Sequence, residues 1–456
     1  MNIWLIQTAE PLPIDSDNER LLRTGILANL LVAKGHEVTW WASTFDHVKK
    51  AFRFHTDTNI EVAQNFHIKL LHVTGYRRNV SLRRILNHYL LAKKFALQAR
   101  KELPPDLVLC SYPIIELSSE ATKYGREMNL PVVLDIRDLW PDEFLNLLPA
   151  GAEWFGRIGL WPMFRQASAA LRRAYAITGI TPNLVHWGVE KAKRNLSSLD
   201  QSFYFGYVDT PPSTEAICQA ELFWQSYGVS KNDGWFNVCF LGTISHLVDF
   251  ETVMTCAYTL KRQRAKIRFI ICGQGDQLDL LKSKSVGCEN IVFPGWVGRD
   301  EIWVLMRLSS VGISPFRNVY SYQNSVSNKT IEYLSAGLPV LSCLKGVVRD
   351  LLLTHQCGFI YESGNAQELA RILRWLSEEP QHLDRASKNA MALYHEKFRA
   401  EKVYSDMIVY LQKVLDSHEN EQSSHPLEAS EDHRKGQPPH NKGYEIIYRA
   451  STLKHK

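Results

Sequence analysis

The residues best suited to chemistry stand in one short stretch, Ser325 to Cys343, SVSNKTIEYLSAGLPVLSC. Ser325 or Ser327 can cap a helix there, Gly337 can close it, and Pro339 blocks its extension into the apolar Val340-Leu341. The stretch therefore predicts helix, tight turn and buried strand. Lys329 falls in the first turn of that helix, where a cation opposes the macrodipole at a cost of about 0.3–1 kcal/mol. A bound anion would make the position sensible: first-turn amides attract a phosphate, and Lys329 adds a full charge to their partial one. Glu332, one turn on, can accept hydrogen bonds from a ribose diol, as carboxylates do in nucleotide sites. Taken singly, Lys329 fits a solvated surface lysine and Glu332 a surface ion pair equally well.

Four further places follow predicted strands. Gly242-Thr243 in FLGTISHLVDF offers a turn at which backbone can approach a phosphate. Gly273 and Gly275 flank Gln274 in ICGQGDQ, and Trp296-Val297-Gly298 in PGWVGRDE forms a loop able to meet a planar base. Arg137-Asp138 in DIRDLWPDE ends a strand of the first half. Each is unspecific alone. The chain has no GxGxxG and no GxxxxGK[ST], so dinucleotide and P-loop readings lack their fingerprints.

The elements that must position these residues alternate. NIWLIQTA, HEVTWWAS, FHIKLLHV, DLVLCSY and PVVLDIRD read as strands with helical segments between them. The first of those helices is SDNERLLRTGILANLLVAKG, with a Ser16-x-x-Glu19 capping box and Gly35 as its stop. Residues 205–235, rich in Pro, Gly and polar clusters, break the rhythm and read as an interdomain connection. The alternation then restarts with FNVCFLGTI, IRFIICGQG, NIVFPGWV and VGISPF as strands. The pattern predicts an α/β protein with two doubly wound parallel sheets: a first domain over 1–204, a connection over 205–235 and a second domain over 236–395. A final helix over 396–416 is expected to pack back on the first domain, and the polar residues 417–456 to be disordered. In open sheets of this kind, ligands bind beyond the carboxyl ends of the strands, so two facing domains make a cleft.

Bulk composition agrees with a two-domain globular chain of 456 residues with 45% apolar residues. Eight scattered cysteines, with no CxxC and no His/Cys group at zinc spacing, read as reduced core thiols. The start, MNIWLIQTAEPLP, lacks a basic leader, and no run approaches the roughly 18 apolar residues of a membrane span, so a cytoplasmic protein is expected. The net charge of +5 is mild but unevenly placed: nine basic residues and no acidic one fall between Val62 and Lys101.

NKTIEYLSAGLPVLS, together with FLGTI, ICGQGDQ, VFPGWV, VGISPF and VVLDIRDLWPDE, resembles the glycosyltransferases of family 4, which have the GT-B fold. The resemblance spans most of residues 1–415, and its DIRDLWPDE is similar to the branch that builds bacterial surface polysaccharides. It implies a retaining transferase that takes a nucleotide-diphosphate-sugar donor, with no cofactor and no bound metal. Carried over residue by residue, it implies that Glu332 binds the ribose. Lys329, with Ser327, Asn328 and the Gly242-Thr243 turn, would hold the diphosphate, while Gly273, Gln274 and Val297 would lie near the base.

Two departures accompany the resemblance. Family members commonly carry two glutamates with seven residues between them, and the first position here is Asn324, which can hydrogen-bond a sugar but brings no charge. An arginine and a lysine usual after the FLG strand are missing, which shifts neutralisation of the leaving phosphate to Lys329 and Arg317. Asp138 and Arg137 would face the transferred sugar or acceptor; a contact of Arg137 with Asp135 that merely organises the loop fits as well. A noncatalytic nucleotide-sugar-binding or assembly protein, and a GT-B nucleotide-sugar epimerase, are the alternatives.

The implied acceptor is a glycan or a polyprenyl-linked glycan. SLRRILNHYLLAKKFALQARKEL spaces Leu82, Ile85, Leu86, Tyr89, Leu90 and Leu97 as an amphipathic helix flanked by arginine and lysine. Residues 76–101 could thus rest on anionic lipid at the inner face of the cytoplasmic membrane, or form a core helix with a solvated basic face. No nucleic-acid module accompanies the charge.

Overall fold

The structure, a computed structural model, describes residues 1–15, 20–145, 148 and 151–424. The expected capping box at Ser16 and Glu19 lies outside them. In chain order the first domain contains β1 (Asn2–Ile6), β2 (Glu37–Ser43), the short hairpin β3 (Phe45–Asp46) and β4 (Ala51–Phe52), β5 (Thr58–Ala63) and β6 (Phe66–Leu71). It continues with β7 (Leu107–Tyr112), β8 (Val132–Ile136), β9 (Ala176–Gly179) and β10 (Gln201–Ser202). The second domain contains β11 (Phe236–Leu241), β12 (Ile267–Cys272), β13 (Ile291–Gly295), β14 (Val311–Ser314), β15 (Val340–Ser342) and β16 (Gly358–Ile360).

The first sheet runs β10-β9-β8-β7-β1-β2-β6-β5, parallel except for the antiparallel edge β5. The second runs β13-β12-β11-β14-β15-β16 and is parallel throughout. Both orders turn back at their first strand, β1 or β11, the switch point beyond which doubly wound sheets bind ligands. Strands such as FNVCFL are buried along their whole length because helices cover both faces, which is why they read as continuous apolar runs. The doubly wound α/β architecture and two-sheet division match the sequence reading. Strands β3, β4, β5, β9, β10 and β16 had no counterpart in it; each is short or an edge.

The first helix begins at Arg23, not near Ser16, for residues 20–22 are not helical and Leu22 is extended. Its cap comes from a distance: Glu10 accepts from the Thr24 N–H at 2.8 Å and from Thr24 Oγ1 at 2.9 Å. Residues 205–235 are less of a linker than expected. Helix Thr214–Ser226 occupies their middle and packs on helix Arg299–Leu308, with Trp224 fully buried and donating to the Glu301 carbonyl. Proline and polar residues hid it, but Ser213 caps it and Ala220 and Trp224 bury one face.

The chain crosses between domains twice, and the crossings lie side by side. The Tyr207 N–H donates to the Phe398 carbonyl at 2.8 Å, and the Ala400 N–H to the Tyr207 carbonyl at 3.0 Å. Helix Ala400–Ser424 then packs on helix Arg23–Ala33, where Tyr404, Met407 and Leu411 join Leu27 and Leu31 in one core. It extends to Ser424, so residues 417–424 are helical where a tail was expected, and the rest of that tail lies outside the described residues.

All eight cysteines are free and all but Cys218 are buried. No helix among the described residues is long and apolar enough to cross a membrane.

Candidate active site

The second domain gathers its predicted residues at the carboxyl ends of β11, β12 and β14. Helix Asn328–Ser335 starts there with Ser327 as its cap, whose Oγ accepts from the Thr330 N–H at 3.2 Å, and Gly337 closes it at φ +65. The helix is fixed from below. Tyr333, fully buried, accepts from the Leu241 N–H at 3.0 Å and donates to the Cys239 carbonyl, so it is pinned to the end of β11.

Lys329 lies four residues before Tyr333 and so on the same face. Its side chain crosses directly over Gly242, the residue after Leu241. A Cβ at Gly242 would fall on Lys329 Cε and come within 3.1 Å of Nζ. Glycine suits that position for its φ of +150, and any side chain there would have to displace the flexible end of Lys329. Gly273 backs onto the same turn, since a Cβ there would overlap the Gly242 carbonyl oxygen. The amides of Asn328 and Lys329 are first-turn donors with no helical acceptor. Among the described residues Lys329 has no ion-pair partner, so one uncompensated charge and several free donors meet at one turn.

The surrounding loops are stitched by backbone. The Gly242 N–H donates to the Cys272 carbonyl at 3.0 Å, Ile244 to Gln274 at 2.9 Å, and Gly273 to Gly295 at 2.7 Å. The side chains of Thr243 and Gln274 are left exposed. Arg317 reaches the same loop, its Nε donating to the His246 carbonyl at 3.0 Å, with its guanidinium exposed. Val297 turns its side chain into the core, so only its main chain can face a base; the neighbouring Trp296 stands open to solvent.

Two expectations change. Glu332 is not free for a ribose: Arg20, from the first domain, crosses the cleft and pairs with it at 2.6 Å while lying over the Tyr207 ring. Asn324, expected at the sugar, joins the domains instead. Its carbonyl accepts from Thr181 Oγ1 at 2.6 Å and its Oδ1 from Asn183 Nδ2 at 2.8 Å, while its own amide donates to the Tyr320 carbonyl. Arg137 makes the loop contact that the sequence also allowed, its guanidinium taken up by Asp135, Glu10 and Thr24, while it still lines the cavity beside Asp138. Asp135 is fully buried and also bonds Arg23 and Thr178. Burial alone would raise its pKa, but the Arg23 and Arg137 charges outweigh that and hold it far below the usual carboxylate range.

Asp138 follows the end of β8 by two residues. It is solvent-accessible yet set at the bottom of a cleft, with protein on most sides; that confinement, and then nearby Glu143, raise its pKa to about 7 against the pull of Arg137 and Arg84. Tyr322 of the second domain faces it: burial first, then the charges of Glu143 and Asp138, raise the Tyr322 pKa. Asp138 lines a cavity of about 180 Å³ at the carboxyl ends of the first sheet. A broader depression of about 540 Å³ runs along the outside of helix Ala366–Glu378 and touches none of these residues.

Residues 228–392 match the family model of the group 1 glycosyl transferases. The chain is a glycosyltransferase of the GT-B fold. No curated protein matches it by sequence. Solved structures similar to this glycosyltransferase include Anabaena HepE in complex with UDP, with 16% identity and a TM-score of 0.62 over 91% of this chain and 100% of that one. Sucrose-phosphate synthase from Thermosynechococcus elongatus has 14% identity and a TM-score of 0.67 over 91% and 99% of the two chains. WaaG, a glycosyltransferase involved in lipopolysaccharide biosynthesis, has 14% identity and a TM-score of 0.57 over 91% and 99%. At these identities the likeness concerns the fold.

Arg20, Tyr207 and Tyr322 were not anticipated. Arg20 follows the loop after β1, so the strand-end rule applied to the first domain would have pointed to it; the two tyrosines carry no comparable signal.

Proposed function

We propose that the glycosyltransferase moves a sugar, with retention, from a nucleotide-diphosphate-sugar donor to a glycan or polyprenyl-linked acceptor in bacterial surface-polysaccharide synthesis, as a member of family 4. The observation that carries this reading is Lys329 lying over Gly242, an unpaired ammonium at a turn whose own shape favours glycine. The donor diphosphate sits between that ammonium, the Asn328 and Lys329 amides and the turn. Glu332 takes the ribose once Arg20 lets go, and the base lies toward Gln274 and the main chain of Val297. The complexes of HepE with UDP and with UDP-glucose support a donor of this class.

In the proposed reaction the bond from the sugar anomeric carbon to the diphosphate oxygen breaks, and its electrons stay on the phosphate. The acceptor oxygen bonds to that carbon on the same face, and its proton passes to the departing phosphate. The protein contributes charge at the leaving group and alignment of the reactants. Lys329 supplies the charge, with Arg317 at the rim, and Asp138 holds the acceptor or the transferred sugar. No metal ion is assigned a part.

Contact with the inner face of the cytoplasmic membrane belongs to the same proposal. Folding brings Glu102, Asp57, Glu120 and Glu127 to Lys69, Lys94, Lys93 and Arg100, which pairs four of the nine basic residues of the stretch. Arg77, Arg78 and Arg83 stay exposed, and Leu82, Ile85, Leu86, Tyr89 and Leu97 face outward, while Leu91 and Phe95 face the core. A helix that turns leucines and arginines outward together suits an anionic lipid surface.

Transfer or slow hydrolysis of a nucleotide sugar by the purified protein, lost in Lys329→Ala and Glu332→Ala, tests the reading. Unchanged turnover in both variants would reject the site.

A further inference from the structure

The cavity in the first domain has a character that the donor site does not explain. It lies beyond β1, β2, β7 and β8, lined by Gln7, Ser43, Ser111 and Asp138, and helix Leu82–Ala99 roofs it with Arg84, Asn87 and His88. Two cations meet at the ring of Tyr76, a lining residue: Arg84, itself on the wall, and Lys50, beside that ring but not on the wall. Arg84 lies 5.8 Å from the Tyr76 centroid and 4.7 Å from that of Trp140; Lys50 Nζ lies 4.9 Å from that of Tyr76. Both are held by the same residue, Arg84 Nη1 donating to the Asn79 carbonyl at 2.9 Å and Lys50 Nζ to Asn79 Oδ1 at 2.6 Å.

Among the described residues neither cation has a carboxylate at ion-pair distance, although Arg53 and Arg137 nearby each have at least one. Burial first, and then their mutual repulsion, lower the pKa of Lys50; burial lowers that of Arg84. Two partly desolvated like charges without a counterion are costly unless a ligand supplies one.

The neutral groups suit the same ligand. His47 shares a 2.6 Å hydrogen bond with Tyr76, and His88 is buried beside Arg84. Burial and the adjacent cations hold His47 at about 4 and His88 at about 3, so near neutral pH they are uncharged. Asp138 is the single acid on the wall, and with a pKa of about 7 it can meet an anion as the neutral acid.

We propose that this cavity is an anion subsite in which Arg84 and Lys50 seat a phosphoryl group carried by the acceptor. The proposal deepens the glycosyl-transfer reading by naming the acceptor class, and it rests on that reading only for the word acceptor. A phosphoryl group can arrive on a soluble sugar phosphate or on a lipid. The outward face of the roofing helix, with Leu82, Ile85, Leu86 and Tyr89, puts a lipid-borne phosphate within the same element's reach.

Calorimetric titration with inorganic phosphate and with farnesyl phosphate tests it, using the full chain with Lys329→Ala as background so that the donor site lacks its cation. Binding is expected in that background and should weaken about tenfold or more when Arg84→Gln or Lys50→Gln is added. Tighter binding of farnesyl phosphate than of phosphate identifies a lipid source, and equal binding a soluble one. Should Arg84→Gln fail to fold, the half-exposed Lys50→Gln carries the test. Absence of binding in the Lys329→Ala background, or equal affinity in all variants, overturns the subsite. Failure of the donor reading shows separately, as nucleoside-diphosphate binding that Lys329→Ala leaves unchanged.

Discussion

Arg20 of the first domain and Glu332 of the second are joined across the cleft at 2.6 Å, with Arg20 lying over Tyr207. A carboxylate suited to a ribose is thus occupied by a guanidinium from the opposing domain, and donor binding must displace it. The pair is partly exposed, so its contribution is small, about 0–1 kcal/mol. Arg20→Gln should therefore tighten binding of a nucleoside diphosphate by about two- to fivefold, measured by calorimetry. Weaker binding would mean that Arg20 serves the phosphates instead.

Lys329 opposes the dipole of its own helix, so function and stability pull apart there. Lys329→Ala should lower turnover by about 10²–10³-fold. Thermal unfolding of the same variant should be unchanged or shift upward, since removal of the cation relieves about 0.3–1 kcal/mol. A loss of stability parallel to the loss of activity would make the lysine structural.

The glycines at the two strand ends should differ when given a methyl group. Gly242→Ala pushes against the flexible end of Lys329, so the protein should fold while losing transfer, though its φ of +150 adds strain. Gly273→Ala meets the Gly242 carbonyl, which cannot yield cheaply, and should lower stability by about 3 kcal/mol or more. Denaturant melts of both variants distinguish the two effects.

Asp138 should give the rate its pH dependence. Its pKa is raised to about 7, so its carboxylate form appears only as pH rises through that value, and an inflection near 7 is expected in the pH profile of transfer. Asp138→Asn should abolish that inflection. The sign for stability is the reverse of the usual acidic side chain. A raised folded pKa contributes stability below the ordinary carboxylate value that is lost toward and above 7, so Asp138→Asn should gain stability relative to the native chain at pH 8 and little at pH 4.

The buried pair of Arg23 and Asp135 predicts the opposite window. The folded pKa of Asp135 is depressed, so its stabilisation is present above the ordinary carboxylate value and disappears as pH falls below it. Arg23→Met leaves a buried carboxylate short of a partner and should cost about 3–5 kcal/mol at pH 7, with a smaller loss near pH 3, as read by denaturant titration.

By itself the sequence determined the local grammar of this protein. Short uninterrupted apolar runs bounded by turn residues read as strands covered on both faces, so the central strands of both sheets were legible, and a cap at Ser327 with a stop at Gly337 specified the helix that carries Lys329. The tertiary structure decided what those residues meet. Lys329 and Gly242 lie 87 positions apart in the chain, and only the anchoring of Tyr333 beneath β11 brings one over the other. Arg20 and Glu332, or Asn183 and Asn324, belong to different domains, and Arg137 is held by Glu10, far from it in the chain, and by Asp135, near it in the chain. Local propensity reports how a segment is built, whereas a partner is chosen by packing across long separations, which no short window of residues encodes.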